Sequence, residues 1–198
     1  MKTALTPAND ASPRIVVVAG PNGAGKTTIA PYVLRGALGV TEFVNADLIA
    51  RGLSGFDPDK AAMTAGRVML ARIHYLAGQR SNFAFETTLS SRTFAPWISR
   101  LVREGYEFHL LFFWMSTPEQ AIERVRDRVL LGGHNVPEET IRRRYQSGIR
   151  NFHELYLPLT TTWRVYNNGE GFPPRLIAAG KSDHVDVMPD PDSWKRFT

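Results

Sequence analysis

The chain has 198 residues, 43% of them apolar and 22% charged, with 24 Lys+Arg against 19 Asp+Glu for a net charge of +5. That composition supports one hydrophobic core, excludes a disordered charged tail, and suits an anionic ligand such as a nucleotide, a phosphorylated metabolite or nucleic acid. The absence of cysteine excludes disulfides, thiolate metal sites and cysteine nucleophiles, and no apolar run nears the roughly 18 residues of a membrane span. The N-terminal stretch MKTALTPANDASPR lacks a signal peptide's apolar segment, so a cytoplasmic location is expected.

Residues 1–13 are small, polar and proline-containing, and are read as a flexible leader. Arg14 to Ala19 is a β-branched run expected to be a strand buried on both faces, followed by a glycine-rich turn and a helix from Lys26 to Leu34. A short strand ends at Phe43-Val44-Asn45. Asp57 caps and Pro58 opens a long helix whose apolar side is read as Met63, Val68, Met69, Leu70, Ile73 and Leu76. Asn82 to Glu86 is a third strand, and Phe94, Trp97, Ile98, Leu101 and Val102 recur at helical spacing up to Gly105.

His109 to Met115 is the longest apolar strand. Thr117-Pro118-Glu119-Gln120 has the layout of a capping box and opens a helix to about Val129. A Gly-Gly loop separates it from a helix starting at Pro137-Glu138-Glu139, with Ile141, Tyr145, Ile149 and Phe152 as its buried stripe. Trp163 to Asn167 and Leu176 to Ala179 are the last strand candidates. The polar tail, 181–198, is assigned no element. Alternating strands and helices without repeats indicate one α/β domain over 14–180, its parallel sheet covered on both faces and its lid region at about 118–150.

Gly20-Pro21-Asn22-Gly23-Ala24-Gly25-Lys26-Thr27 fits G-x-x-x-x-G-K-[ST], with a strand before it and a helix, including Thr28, after it. The glycines let backbone N–H groups curl around phosphates, Lys26 is placed for the β and γ phosphates, and Thr27 for Mg²⁺. ATP with Mg²⁺ is therefore the expected cofactor pair. The string GPNGAGKTT also occurs in ABC transporter ATPases. Here Leu53-Ser54-Gly55-Phe56 lies too early and lacks the second glycine of their signature, and no apolar strand ends in Asp-Glu.

A small kinase also needs a base near the acceptor hydroxyl, a carboxylate near Mg²⁺, arginines on the transferred phosphoryl and a mobile cover. Asp47 follows the second strand and reads equally as that base or as an N-cap for Leu48-Ile-Ala-Arg. Glu86 ends a buried strand, where an acid seldom serves packing, and Thr87, Thr88 and Arg92 follow on the same edge. Arg124 and Arg128 are four apart and share a helix face, read either as phosphoryl contacts or as a solvated face paired with Glu123 and Asp127. Gly132-Gly133-His134-Asn135 is a candidate hinge, and Arg142-Arg143-Arg144 supplies further cations. His134, Arg143 and Arg144 are candidate substrate contacts.

The stretches GPNGAGKTT, FVNADLIA, FAFETTLSSR, AIERVRDRV and GGHNVPEETIRRRY, in order over about Arg14 to Asn168, resemble the zeta-toxin-like P-loop kinases, most of all their short stand-alone bacterial branch. The resemblance implies a P-loop NTPase fold like the nucleotide and shikimate kinases, with five central parallel strands. It implies transfer of the ATP γ-phosphoryl to UDP-N-acetylglucosamine or a related UDP-amino-sugar, with Lys26 as the P-loop lysine, Asp47 as the base, Glu86 organising substrate and metal, and Arg124 as the first lid arginine. The family's second lid arginine lies where this chain has Gly133-His134-Asn135, which passes that role to Arg128, Arg143 or Arg144. An antitoxin partner is also implied. A polynucleotide or RNA 5′-kinase and a nucleotide-dependent, partner-binding switch stand as alternatives; a membrane partner is not expected, and nucleic acid is the less favoured ligand.

Overall fold

Arg14–Ala19 forms β1, and five of its six residues are buried, as a β-branched run in the middle of a sheet requires. The structure is a computed structural model that describes residues 12–198 apart from His134, so the leader up to residue 11 and the His134 candidate lie outside the described residues. After β1 come α1 (Lys26–Tyr32), β2 (Glu42–Val44), α2 (Ala46–Leu53), α3 (Pro58–Gly78), β3 (Phe83–Thr87), α4 (Phe94–Arg103) and β4 (Glu107–Trp114). The second half holds α5 (Pro118–Leu130), α6 (Glu138–Asn151), β5 (Thr162–Asn167), β6 (Arg175–Lys181), β7 (His184–Val187) and α7 (Pro191–Phe197).

The strands make one seven-stranded sheet in the order β2-β3-β1-β4-β5-β6-β7. The first five in chain order pair in parallel, as expected, whereas β6 and β7 extend the sheet antiparallel. To the five parallel strands expected the sheet adds β6, which covers the Leu176–Ala179 candidate, and β7, which had none; the β5–β6 and β6–β7 connections are short enough to return the chain directly. Alternate residues of β1 face opposite cores. Val16 and Val18 pack with Ile29, Ala121 and Val125 from α1 and α5, while Ile15 and Val17 join the core that holds Ile73, Ile98 and Phe152.

Two details depart from the sequence reading. On α3 only Met69, Ile73 and Leu76 of the proposed apolar side are buried, together with Ala65 and Ala77; Met63, Val68 and Leu70 face outward. The segment after residue 181 carries β7 and α7, whose Trp194 stacks on Trp163 at 5.2 Å and whose Phe197 is buried against Phe112 and Phe152. A few aromatics in a polar stretch were enough to dock it, a long-range outcome that local periodicity does not record. Among the described residues no helix is long and apolar enough to cross a membrane.

Candidate active site

β1 lies between β3 and β4, so the turn at its carboxyl end opens at the centre of the sheet's edge, where open α/β sheets bind ligands. Gly20 leaves β1 at φ 139°, and a Cβ there would lie 2.2 Å from the Phe113 carbonyl oxygen of β4. Gly25, at φ 73°, starts α1 with no side-chain cap. The first N–H groups of α1 are thereby left to a ligand, and the helix's positive end favours an anion there.

Lys26 is 6% exposed; its Nζ donates to the Pro21 carbonyl at 2.9 Å and lies 3.6 Å from Glu86 Oε1. Burial holds its ammonium below the ordinary lysine value, opposed by the nearby charges of Glu86 and Asp47. The other Glu86 oxygen accepts from Thr27 Oγ1 at 2.8 Å and from Asn45 Nδ2 at 2.6 Å. One carboxylate at the end of β3 therefore joins the P-loop lysine, the neighbouring threonine and the end of β2.

The ambiguity at Asp47 resolves in the backbone. Asn45 is the N-cap of α2, its Oδ1 accepting from the N–H groups of Asp47 and Leu48 at 2.7 and 3.1 Å. Asp47 is thus in the first turn and not a cap. Its exposed carboxylate lines a cavity of about 660 Å³ together with Asn22, Gly23, Gly25, Lys26, Thr27, Thr28, Glu86, Thr87, Thr88, Arg124, Arg128 and Arg144. Gly20, Pro21 and Ala24 shape the loop from behind and do not line that cavity. Arg92 and Arg143 are exposed and outside the lining, so the sequence expectation for those two is not met by this arrangement.

The arginines of the expected lid divide by geometry. Arg124 donates to the Gly169 carbonyl at 3.2 Å, and its Cβ sits where Gly23 leaves room, which brings α5 onto the phosphate loop. Arg144 donates to Asn22 Oδ1 at 3.3 Å, while Arg142 pairs with Glu119 and Arg126 with Glu138. Burial lowers the Arg144 pKa, helped by Arg143 and opposed by Asp47. The glycine pair of the candidate hinge ends α5. Gly132, at φ 79°, donates to Val129 O, and the Gly133 N–H to Arg128 O, each at 2.9 Å, the Schellman pattern that stops a helix.

Four site residues escaped the sequence reading. Asn45 and Arg51 flank Asp47, and the signal for them was an Asn in cap position and an arginine one helical turn after the acid. Asp127 lines the cavity from α5. Asn168 follows β5 and donates Nδ2 to the Ala24 carbonyl at 2.8 Å; nothing local marks it.

The residues present suit a nucleotide with magnesium. No group of three or more His, Cys, Asp or Glu among the described residues forms a metal cage. Magnesium held mainly through nucleotide phosphates needs only one or two protein oxygens, and Thr27 Oγ1 and a Glu86 oxygen already lie 2.8 Å apart.

A family model described as an AAA domain matches residues 15–149, and the chain belongs to that family. A protein of Haemophilus influenzae described as uncharacterized is 26% identical over 132 residues, covering 67% of this chain and 92% of that protein. Among solved structures, a chain of the AvrRxo1-ORF1:-ORF2 complex with ATP superposes with TM-score 0.72 at 14% identity. The match covers 96% of this chain and 65% of that one, so this chain spans about two thirds of that relative's length. A chain of the PezAT chromosomal toxin-antitoxin system of Streptococcus pneumoniae superposes with TM-score 0.65 at 20% identity, over 85% of this chain and 73% of that one. These likenesses establish a P-loop kinase fold.

Proposed function

We propose that this AAA-domain protein is an ATP- and Mg²⁺-dependent kinase that phosphorylates a hydroxyl of a small molecule, with a UDP-amino-sugar such as UDP-N-acetylglucosamine as the preferred acceptor. The observation that carries the reading is that Asp47 lines the same cavity as Lys26 and the Thr27–Glu86 pair. A base, a phosphate-binding lysine and a metal-suited oxygen pair around one opening are the parts that phosphoryl transfer needs.

In this mechanism the Asp47 carboxylate takes the acceptor hydroxyl's proton. Lys26, Arg124 and Arg128 neutralise charge on the transferred phosphoryl, and Arg144 borders the acceptor side. Thr27 and Glu86 hold Mg²⁺, which when bound supplies charge neutralisation on the phosphates. Thr87 and Thr88, at the end of β3, offer hydroxyls to the acceptor. One of the two similar structures holds AvrRxo1-ORF1 with AvrRxo1-ORF2 and the other belongs to a toxin-antitoxin system, and on that ground alone the proposal includes a protein partner of the antitoxin kind.

Mass spectrometry of a metabolite panel incubated with protein, Mg²⁺ and ATP tests the reading. The panel holds UDP-N-acetylglucosamine, related sugar nucleotides, nucleosides and a 5′-hydroxyl RNA, with Lys26→Ala and Asp47→Asn as controls. A gain of one phosphate on a UDP-sugar, absent from both controls, is expected. Phosphate on the RNA alone would replace the acceptor. ADP with no phosphorylated product on any acceptor would favour the partner-binding switch.

A further inference from the structure

Asn45 is 4% exposed, and both ends of its side-chain amide are used. The oxygen caps α2 by accepting from the Asp47 and Leu48 N–H groups at 2.7 and 3.1 Å. The nitrogen reaches Glu86 Oε2 at 2.6 Å and Thr27 Oγ1 at 3.3 Å. Capping alone would be served by Ser, Thr or Asp, whose oxygens accept the same N–H groups. Among the cap residues only Asn carries its acceptor and its donors on separate atoms, a carbonyl oxygen and an NH₂ group that face opposite sides. The donors also have work at this place, because Glu86 Oε2 lies against two groups that must both donate to it.

We propose that Asn45 is a positioning residue that locks the Thr27–Glu86 pair and the Asp47-bearing helix α2 into one geometry. It sets the oxygens that take Mg²⁺ and, through the same amide, the distance from them to the carboxylate placed as the base. Asn45 touches none of the reacting atoms and acts through Thr27, Glu86 and the start of α2. This rests on the kinase reading for the part concerning Asp47. The part concerning Thr27 and Glu86 stands on nucleotide and metal binding alone.

The test separates the cap from the bridge. Asn45→Ser keeps a capping oxygen and removes the amide NH₂ that reaches Glu86 and Thr27, and Asn45→Thr does the same should the serine variant be poorly folded. The affinity of each for a non-hydrolysable ATP analogue is titrated with Mg²⁺ and with EDTA, alongside its melting temperature. The expected result is EDTA affinity within about twofold of the parent chain, and a gain on adding Mg²⁺ reduced about tenfold, as loss of a hydrogen bond to a charged group implies. The melting temperature stays within about 4 °C, the range set by exchange of one cap residue for another. An undiminished Mg²⁺ gain in a well-folded variant overturns the proposal and leaves Asn45 as a cap. Where the parent chain phosphorylates an acceptor, kcat should fall about tenfold in the variant while the acceptor's KM moves less than about twofold. Equal losses in Mg²⁺-free and Mg²⁺-bound affinity would also overturn it. Absence of turnover in the parent chain removes the kinase reading, and the Mg²⁺ titration still decides the role of Asn45.

Discussion

Asn168 and Ala24 stand 144 positions apart and are joined by one hydrogen bond of 2.8 Å, from the asparagine amide to the carbonyl inside the phosphate loop. The same amide nitrogen lies where a Cβ on Gly25 would come within 2.7 Å. Asn168, just past β5 and outside the cavity lining, thus props the loop. Asn168→Ala leaves that carbonyl without its partner, a cost of about 1–3 kcal/mol. Calorimetric titration should show ATP affinity lower by about tenfold, with the fold intact by circular dichroism.

Asp47→Asn keeps the size of the side chain, and Asn45 continues to cap α2. Removing a general base costs about 10²–10⁴-fold in rate. Phosphoryl transfer should fall by at least 100-fold on that scale, with ATP affinity changed less than twofold in the same titration. Transfer at the parent rate would remove Asp47 from the mechanism.

Gly23→Ala should act on the lid and the loop together. The added Cβ would meet the Ala121 carbonyl at 2.7 Å and Arg124 Cβ at 3.3 Å, and the residue's φ of 80° is itself strained for alanine. A positive φ alone costs about 1–3 kcal/mol. Thermal unfolding should show a lower melting temperature, and nucleotide binding should weaken because α5 is pushed off the loop.

Phe197→Ala should cost about 3–5 kcal/mol, the range for emptying a buried aromatic site. Phe197 is 1% exposed and packs on Phe112, Phe152 and Trp194. Urea unfolding measures the loss. If α7 were a loose appendage, the midpoint would not move.

Alkaline pH should destabilise the fold through two buried tyrosines. Burial pushes Tyr145 and Tyr156 up to about 12, and their hydroxyls donate to the Met115 and Ser91 carbonyls at 2.6 and 2.9 Å. A phenol with a raised pKa binds its proton more tightly when folded. Its stabilisation is complete below the unfolded value near 10 and is lost as pH climbs towards 12. Denaturant midpoints measured from pH 9 to 12 should fall over that window, and less steeply in Tyr145→Phe.

The phosphate loop, the parallel strands and the caps at Asp57 and Thr117 were legible because their causes are local. A glycine-lysine pattern between a buried strand and a helix has few other uses, and the side chains of Asp57 and Thr117 bond N–H groups three residues ahead. The capping box proved partial: Gln120 turns to the Ser116 N–H, one residue before the cap. Glu86 was legible too, as an acid closing a buried strand. Arg92 and Arg143 misled because an arginine's position along the chain does not say which way its helix or loop turns it.

From the sequence alone followed the α/β class, the nucleotide loop, the places of its first five strands along the chain and a short set of carboxylates and arginines to choose from. Repeating apolar spacing and turn chemistry act between near neighbours, so they are written in order along the chain. The cap of α2 is local as well, Asn45 accepting from N–H groups two and three residues ahead. Tertiary structure decided that Glu86 meets Thr27 and Lys26 on one carboxylate, and that Asn168 braces the loop. It also decided that Trp194 and Phe197 draw a polar tail into the core. Each of these depends on which distant segments pair in the sheet, and the free energy of that pairing is shared over the whole core and carried by no single motif.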